Sequence, residues 1–187
     1  MNLPNKITIA RVLMIPLFLI ALLSGLLPSA VGRYTALIIF VAASATDWLD
    51  GYLARKMNLQ TNFGKFMDPM ADKLLVAAAL IALVQLGSIA AWMVIVIISR
   101  DFIISGVRLV AAEQGRVIAA GTWGKIKTAI QMIMIITLLF THRDIIGDYQ
   151  ILLALCELLK WLSVVFTIIS AYDYIYKNID VFRGEKN

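Results

Sequence analysis

Apolar residues occur along the chain in six long segments separated by short polar stretches. The segments cover residues 7–28, 33–57, 64–86, 89–113, 124–142 and 148–175. Each is close to the ~20 residues that a helix needs to cross the hydrocarbon core of a bilayer. Turn-forming residues occupy the breaks, as at Gly25, Pro28, Gly87 and Ser88. The pattern predicts an all-α integral membrane protein with six transmembrane helices.

Composition supports the bilayer as the solvent of this chain. Of the 187 residues, 61% are hydrophobic and only 16% are charged, and the mean hydropathy is +0.86. A soluble domain of this size cannot bury so much apolar sequence in one core. The single cysteine, Cys156, excludes an intrachain disulfide. The single histidine, His142, cannot build a metal site alone.

The N-terminus has two interpretations. Lys6 and Arg11 stand before the run VLMIPLFLIALLSGLLPSA, and this arrangement resembles the charged start and apolar core of a signal peptide. However, the run is long, Ser29 and Ala30 make a poor cleavage site, and further apolar segments follow. We therefore interpret the first segment as an uncleaved membrane helix.

Positive charge is distributed unequally between the two ends of the segments, and this bias predicts orientation. One side holds Lys6, Arg11, Arg55, Lys56, Lys65, Arg116, Lys125, Lys127, Lys177, Arg183 and Lys186, whereas the other holds Arg33 and Arg143. We expect a multi-pass protein of the cell (plasma) membrane with both termini in the cytoplasm. The aromatic residues near segment ends are expected to be interfacial anchors: Tyr34, Trp92, Tyr149, Tyr172, Tyr174 and Tyr176.

Four aspartates lie in the stretch DWLDGYLARKMNLQTNFGKFMDPMAD, where the second and third segments meet. Asp47 and Asp50 are three residues apart, and Asp68 and Asp72 are four apart. Both spacings place a pair on one face of a helix. Two consecutive antiparallel helices can then bring four carboxylates to one point near the cytoplasmic side.

Such a cluster needs compensation, because like charges repel. Divalent cations prefer oxygen ligands, and Mg²⁺ suits a few carboxylates together with substrate phosphates. Two ions could clamp a phosphoryl group during an in-line displacement. Gly51 and Ala54 keep the same face small, and Arg55 can bind a phosphate through two hydrogen bonds. The alternative is a set of interfacial aspartates that water solvates, with Gly51 and Ala54 serving helix packing.

The stretch resembles the signature of the CDP-alcohol phosphotransferase family, D-x2-D-G-x2-A-R-x8-G-x3-D-x3-D. The fixed positions are matched by Asp47, Asp50, Gly51, Ala54, Arg55, Gly64, Asp68 and Asp72. The resemblance also covers the six-helix layout, so we expect one domain of this family over residues 1–187.

The resemblance implies roles for individual residues. Two divalent cations, Mg²⁺ or Mn²⁺, would be bound by Asp47, Asp50, Asp68 and Asp72. Asp72 would also be the base that removes the proton from the acceptor hydroxyl. CDP-diacylglycerol would be bound by Asn5, Thr8, Gly51, Arg55 and Thr61. The family also implies a homodimer, and no nucleic acid is expected as a partner.

Charged residues recur in the second half of the chain. Arg100 and Asp101 lie deep in an apolar segment, where charges usually face a cavity or a partner, and they form either part of a site or a structural ion pair. Four further cations could bind the phosphate of an anionic acceptor: Arg108, Arg116, Lys125 and Lys127. The last three could instead reflect orientation and contact with lipid headgroups. Glu157 and Lys160 are expected to pair with each other or across a dimer.

The stretches NLPNKITIARVLMIPLF, RDFIISGVRLVAAEQGRVIAA and GKIKTAIQ resemble the branch of the family that makes phosphatidylglycerophosphate. That resemblance implies transfer of a phosphatidyl group from CDP-diacylglycerol to sn-glycerol 3-phosphate, with release of CMP, next to membrane lipids. A phosphatidylinositol-phosphate synthase is the nearest alternative. A phosphatidylserine synthase, a cardiolipin synthase of this fold or another member with a different acceptor comes after it.

A metal-ion transporter is the alternative from another class of protein, since an acidic cluster could bind a transported ion. Transporter sites usually lie near the midplane of the bilayer. The four aspartates are instead expected near the ends of their helices, which favours the enzyme.

Overall fold

The computed structural model describes residues 3–57, 62–113, 118, 121–141 and 150–179, with side chains at 9–46, 70, 71, 73–112, 118, 121–141 and 150–179. These ranges contain six helices and no strand. The helices are α1 (Leu3–Leu23), α2 (Ser29–Met57), α3 (Asn62–Gln85), α4 (Ala91–Glu113), α5 (Thr122–Phe140) and α6 (Gln150–Lys177). The prediction of an all-α fold is confirmed for these residues, whereas six membrane-spanning helices stay a prediction.

Two glycines at the predicted breaks have the left-handed backbone conformation. Gly25 has a φ of 70° and Gly87 a φ of 67°, a region that side chains with a Cβ rarely adopt. Each follows the end of a helix, α1 in one case and α3 in the other. The chain therefore turns where the sequence pattern predicted.

The chain divides into two compact units. The first comprises Met1–Ser88 and Ile136–Asp148, and in it α1 packs against both α2 and α3. Phe18 of α1 and Phe40 of α2 are fully buried, with ring centroids 6.1 Å apart. Leu75, Leu80 and Leu83 of α3 are also fully buried. This core holds together the two helices on which the aspartate signature lies.

Arg33 has a structural role in the first unit. Its side chain is 6% exposed, and Nη1 donates to the carbonyl oxygens of Leu138 at 3.3 Å and Thr141 at 3.5 Å. The last four carbonyl groups of a helix accept no hydrogen bond from N–H groups of that helix. A cation near them stabilises the helix through its dipole. Arg33 of α2 thus caps the C-terminal end of α5.

The second unit comprises Ile89–Ile135 and Tyr149–Asn187. In it α4 packs against α6, and a buried cluster joins Ile104, Val107 and Ala111 of α4 to Tyr174 of α6. Tyr174 is 6% exposed, so it is a core residue and not the interfacial anchor that its position suggested. Tyr172 and Tyr176, at 72% and 71% exposure, remain suited to an anchoring role.

Large apolar side chains cover much of the outer surface. Ile38 of α2 is 69% exposed and Ile151 of α6 is 87% exposed. Within the described residues, three segments are long and apolar enough to cross a membrane: Ser29–Thr46, Thr122–Phe140 and Gln150–Lys177. So much exposed apolar surface requires a lipid environment, and the chain is a membrane protein. The number of crossings and the single family domain stay predictions.

Candidate active site

The backbone places all four signature aspartates on regular helix. Asp47 and Asp50 belong to α2, and Asp68 and Asp72 belong to α3. Their side chains lie outside the described residues. With 3.6 residues per turn, helical spacings of three and four keep each pair on one face, and α2 and α3 are in contact within the first unit. The helical premise of the predicted site is therefore confirmed, whereas the ligand roles stay predictions.

The remaining signature residues follow the same helices. Gly51, Ala54 and Arg55 belong to α2, and Gly64 lies in the first turn of α3. Among the residues predicted to bind CDP-diacylglycerol, Asn5 and Thr8 are on α1. Thr61 lies outside the described residues, as do the side chains of Asn5, Thr8, Gly51 and Arg55.

The donor set fits hard divalent cations. Four carboxylates on two neighbouring helices offer oxygen ligands and enough negative charge for two such ions. Elsewhere, the side chains that the structure describes include no group of three or more histidine, cysteine, aspartate or glutamate residues that could hold a metal. The candidate metal centre therefore rests on the sequence signature and on the helices that carry it, since the four carboxylates themselves lie outside the described side chains.

Arg11 is a residue whose importance the sequence reasoning missed, because it was counted only toward orientation. It is 1% exposed, and its guanidinium nitrogens are buried within the first unit. A buried guanidinium requires negative or hydrogen-bonding partners. The acidic residues of the first unit are the four signature aspartates together with Asp144 and Asp148. The signal in the sequence was the spacing of three from Thr8, which places both residues on one face of α1.

In the second unit, Arg100, Asp101 and Lys127 form one ionic cluster. Lys127 Nζ lies 2.7 Å from each oxygen of the Asp101 carboxylate, and Arg100 Nη1 lies 3.0 Å from Oδ1. Arg100 Nη2 also donates to the Ser170 hydroxyl. The cluster therefore joins α4, α5 and α6. Arg100 and Asp101 are partners, as one of the two sequence interpretations proposed.

Gly124 of α5 lies beside the cluster. A Cβ at this position would lie 3.4 Å from Arg100 Nη2 and 3.7 Å from Ser170 Oγ, both ordinary van der Waals distances. The Arg100 guanidinium and the Ser170 hydroxyl therefore lie close to the first turn of α5.

The four cations predicted to bind the acceptor phosphate have different environments. Arg108 is exposed, with its guanidinium carbon 5.5 Å from the centre of the Tyr174 ring. Lys125 is exposed at the start of α5. Lys127 is 1% exposed and contacts Asp101. Arg116 lies outside the described residues.

The Arg108–Tyr174 contact orients the arginine. A guanidinium over an aromatic face is attracted by the electron density of the ring. The ring attracts the cation without accepting conventional hydrogen bonds from it, so this contact leaves the ability of Arg108 to bind a phosphate as a prediction.

Comparison with known proteins agrees with these features. Residues 1–169 match the family model of CDP-alcohol phosphatidyltransferases. Proteins named CDP-diacylglycerol–glycerol-3-phosphate 3-phosphatidyltransferase are similar over nearly their whole length. The one from Bacillus subtilis is 47% identical over 97% of both chains. The one from Pseudomonas fluorescens is 43% identical over 86% of both, and that from Haemophilus influenzae is 40% identical over 93% of this chain and 91% of its own. The chain belongs to the CDP-alcohol phosphatidyltransferase family.

Proposed function

We propose that this protein transfers a phosphatidyl group from CDP-diacylglycerol to sn-glycerol 3-phosphate, giving phosphatidylglycerophosphate and CMP. The observation that carries the proposal is the complete aspartate signature on two neighbouring helices, α2 and α3. The names of the similar proteins describe the same reaction. The exposed cations of the second unit support a phosphorylated acceptor rather than serine.

The reaction is a displacement at the phosphorus that carries the lipid. The primary hydroxyl of the acceptor attacks this phosphorus, and an oxygen–phosphorus bond forms. The bond from the same phosphorus to the CMP phosphate oxygen breaks, and CMP leaves with the bonding electrons. Asp72 takes the proton from the attacking hydroxyl. The phosphatidyl group is thus transferred from CMP to the acceptor oxygen, and no oxidant or reductant is needed.

The protein's own residues would position the reactants. Asp47, Asp50, Asp68 and Asp72 would hold two divalent cations, which supply positive charge to the phosphoryl oxygens and to the leaving group. Asn5, Thr8, Gly51, Arg55 and Thr61 would bind CDP-diacylglycerol, with the small Gly51 allowing close approach to the backbone. Arg108, Arg116 and Lys125 would bind the phosphate of the acceptor, whereas Lys127, the fourth cation predicted for this role, contacts Asp101.

The same proposal includes the setting of the enzyme. We infer six crossings of the cell membrane, cytoplasmic termini and a cytoplasmic active site. The excess of lysine and arginine near one set of helix ends supports this orientation. A lipid donor and a soluble acceptor can then meet at the membrane surface. A homodimer is part of the proposal by family membership alone.

One assay tests the choice of acceptor. Purified protein in detergent with Mg²⁺ should release CMP from CDP-diacylglycerol when glycerol 3-phosphate is added. Inositol phosphate and serine, offered at equal concentration, should give much slower release. Preference for inositol phosphate would assign the chain to the alternative branch, and no CMP release with any acceptor would contradict the family's activity here.

Removing the Arg108 side chain should weaken binding of the acceptor. We expect Arg108→Ala to raise the KM for glycerol 3-phosphate by roughly tenfold or more, the effect of losing one charge-assisted hydrogen bond. The KM for CDP-diacylglycerol should stay unchanged. Initial rates of CMP release against each substrate measure both values.

The matched control for that change is Lys160→Ala. It removes a cation of the same unit that pairs with Glu157 at 2.5 Å, and both KM values should stay at the wild-type level. An unchanged acceptor KM in Arg108→Ala would leave Arg108 with only a packing role on Tyr174.

A further inference from the structure

The cluster of Arg100, Asp101 and Lys127 has two cations on one carboxylate. Three contacts reach the Asp101 carboxylate: two from Lys127 and one from Arg100. Oδ1 accepts two of them and Oδ2 accepts one. Since a carboxylate offers about four lone-pair directions, Oδ2 can still accept one more hydrogen bond. The cluster thus has an acceptor to offer as well as positive charge.

Burial within the cluster is graded. The Lys127 side chain is 1% exposed and that of Arg100 is 12% exposed, whereas that of Asp101 is 22% exposed. Asp101 is therefore the most exposed of the three side chains, and Lys127 is the least exposed.

Asp101 differs from the other acidic side chains that the structure describes in this unit by the origin of its cations. Glu157 pairs with Lys160 and Asp173 with Lys177, each on its own helix, whereas Asp101 also pairs with Lys127 of another helix, α5. Asp101 lies seven residues before Arg108 on α4. Seven residues are two helical turns, so the two lie on the same helix face. One small molecule could therefore use both residues.

We propose that Asp101 binds a hydroxyl group of the acceptor, and that Lys127 is a positioning residue that holds the carboxylate in place. The inference rests on the function proposed above and deepens it. Glycerol 3-phosphate has a phosphate for Arg108, a primary hydroxyl that attacks and a secondary hydroxyl that does not react. The secondary hydroxyl is the group left for Asp101.

This assignment makes Asp101 a determinant of acceptor specificity. A site built to hydrogen-bond a substrate hydroxyl discriminates against an analogue that lacks it, because its polar group is then left without a partner. A hydrogen bond to a charged group gives discrimination of roughly tenfold or more. Lys127 would affect acceptor specificity by holding the Asp101 carboxylate in place and not by binding the phosphate of the acceptor.

The test compares two acceptors. Glycerol 3-phosphate and 3-hydroxypropyl phosphate share the phosphate and a primary hydroxyl, but the second lacks the secondary hydroxyl. Wild-type protein should prefer glycerol 3-phosphate by roughly tenfold or more in kcat/KM for CMP release. Asp101→Ala should bring the ratio close to one, mainly by lowering the value for glycerol 3-phosphate. Lys127→Met should lower the ratio in the same direction.

Further variants separate this role from a structural one. If Asp101→Ala does not fold, the double variant Asp101→Ala/Lys127→Met can replace it. The double variant removes one charge of each sign, so the net charge of the cluster stays the same. It should also lose the preference. Asp101→Glu keeps a carboxylate and should retain part of it. Glu157→Gln breaks the exposed pair with Lys160 and should keep the wild-type ratio.

The possible outcomes are distinct. A wild-type ratio near one, or an unchanged ratio in the aspartate variants, overturns the assignment of Asp101. An equal loss for both acceptors in Lys127→Met makes Lys127 a phosphate ligand and overturns its positioning role. If wild-type protein releases no CMP with glycerol 3-phosphate, the proposed function itself fails, which is a separate result.

Discussion

Chelation of divalent cations should abolish CMP release, and addition of Mg²⁺ or Mn²⁺ should restore it. The reason is the charge at the site: four carboxylates and the phosphates of the substrate are all negative, so the reaction needs cations between them. The measurement is the rate of CMP release in excess chelator and after replacement of the metal. Full activity in chelator after dialysis would contradict a metal-dependent mechanism.

Asp47→Asn should lose activity even at saturating substrate. The ions organise the transition state and not only the bound substrate, so kcat itself should fall. A loss of about 10²–10³-fold is the size expected when a group that stabilises transition-state charge is removed. Titration with Mn²⁺ followed by electron paramagnetic resonance gives a second readout, in which the variant should bind fewer ions or bind them more weakly.

The matched control for Asp47→Asn is Asp173→Asn. Asp173 is an aspartate of the second unit that pairs with Lys177 at 2.6 Å, four residues on. The Lys177 side chain is 64% exposed, so water screens this pair and its contribution should be small. The control should keep both metal binding and kcat, and a comparable loss there would mean that the assay reports general damage to the protein.

Asp72→Asn should lower kcat by at least about a hundredfold while binding of CDP-diacylglycerol and metal stays nearly intact. A hydroxyl is a poor nucleophile at neutral pH, and a positioned base contributes roughly 10²–10⁴-fold. Asp72 ends the signature one helical turn beyond Asp68 on α3. The fall in kcat with unchanged binding marks an interaction that is made only in the transition state.

Asp68→Asn is the comparison variant that separates the role of a base from the role of a metal ligand. As a ligand without the base role, it should weaken metal binding as well as kcat. Metal titration and kcat are therefore measured on both variants. If both variants lose metal affinity equally, Asp72 is mainly a metal ligand. If Asp72→Asn keeps a normal kcat, Asp72 is not the base and the proton of the acceptor hydroxyl is transferred to solvent.

The helices could be predicted because their signals are local. Long apolar runs specify helices in a bilayer protein, and Gly25 and Gly87 specify the turns between them. The predicted ends at residues 57 and 113 coincide with the ends of α2 and α4. The pairing of Glu157 with Lys160 was also predictable, because residues three apart on a helix are neighbours.

Features that depend on distant partners could not be predicted in this way. The second segment was predicted to begin at Arg33, which was counted only toward orientation, but α2 begins at Ser29. Arg33 Nη1 donates to the carbonyl oxygens of Leu138 and Thr141, which lie more than 100 residues later in the sequence. Nothing in the local pattern reveals such a cap.

The candidate site also has features with local sequence signals and features that depend on distant partners. The spacing of the aspartates identifies their shared faces, because the period of a helix is fixed. The environment of Lys127 was not predictable, since its partner Asp101 is 26 residues away on another helix. From the sequence alone, a lysine near a segment end had the same appearance as Lys125, which is exposed.

The cluster around Arg100 has a consequence for how the protein is made. A charge at the centre of a membrane helix costs about 2.5–3.5 kcal/mol on insertion scales. Under the proposed six-crossing layout, Arg100 and Asp101 of α4 enter the bilayer together, before Lys127 and Ser170 have been made. Lys127 follows Asp101 by 26 residues, and Ser170 follows Arg100 by 70.

At ~5–20 residues per second, the ribosome adds Lys127 roughly 1–5 s after Asp101, and Ser170 roughly 4–14 s after Arg100. During the first interval the insertion machinery must shelter α4, because Asp101 still lacks its lysine. A nascent chain that stops before α6 already contains Arg100, Asp101 and Lys127, and it lacks only the Ser170 hydroxyl that accepts from Arg100. The ionic partners of the second unit are therefore all available once α5 has been made, before the C-terminal helix is synthesised.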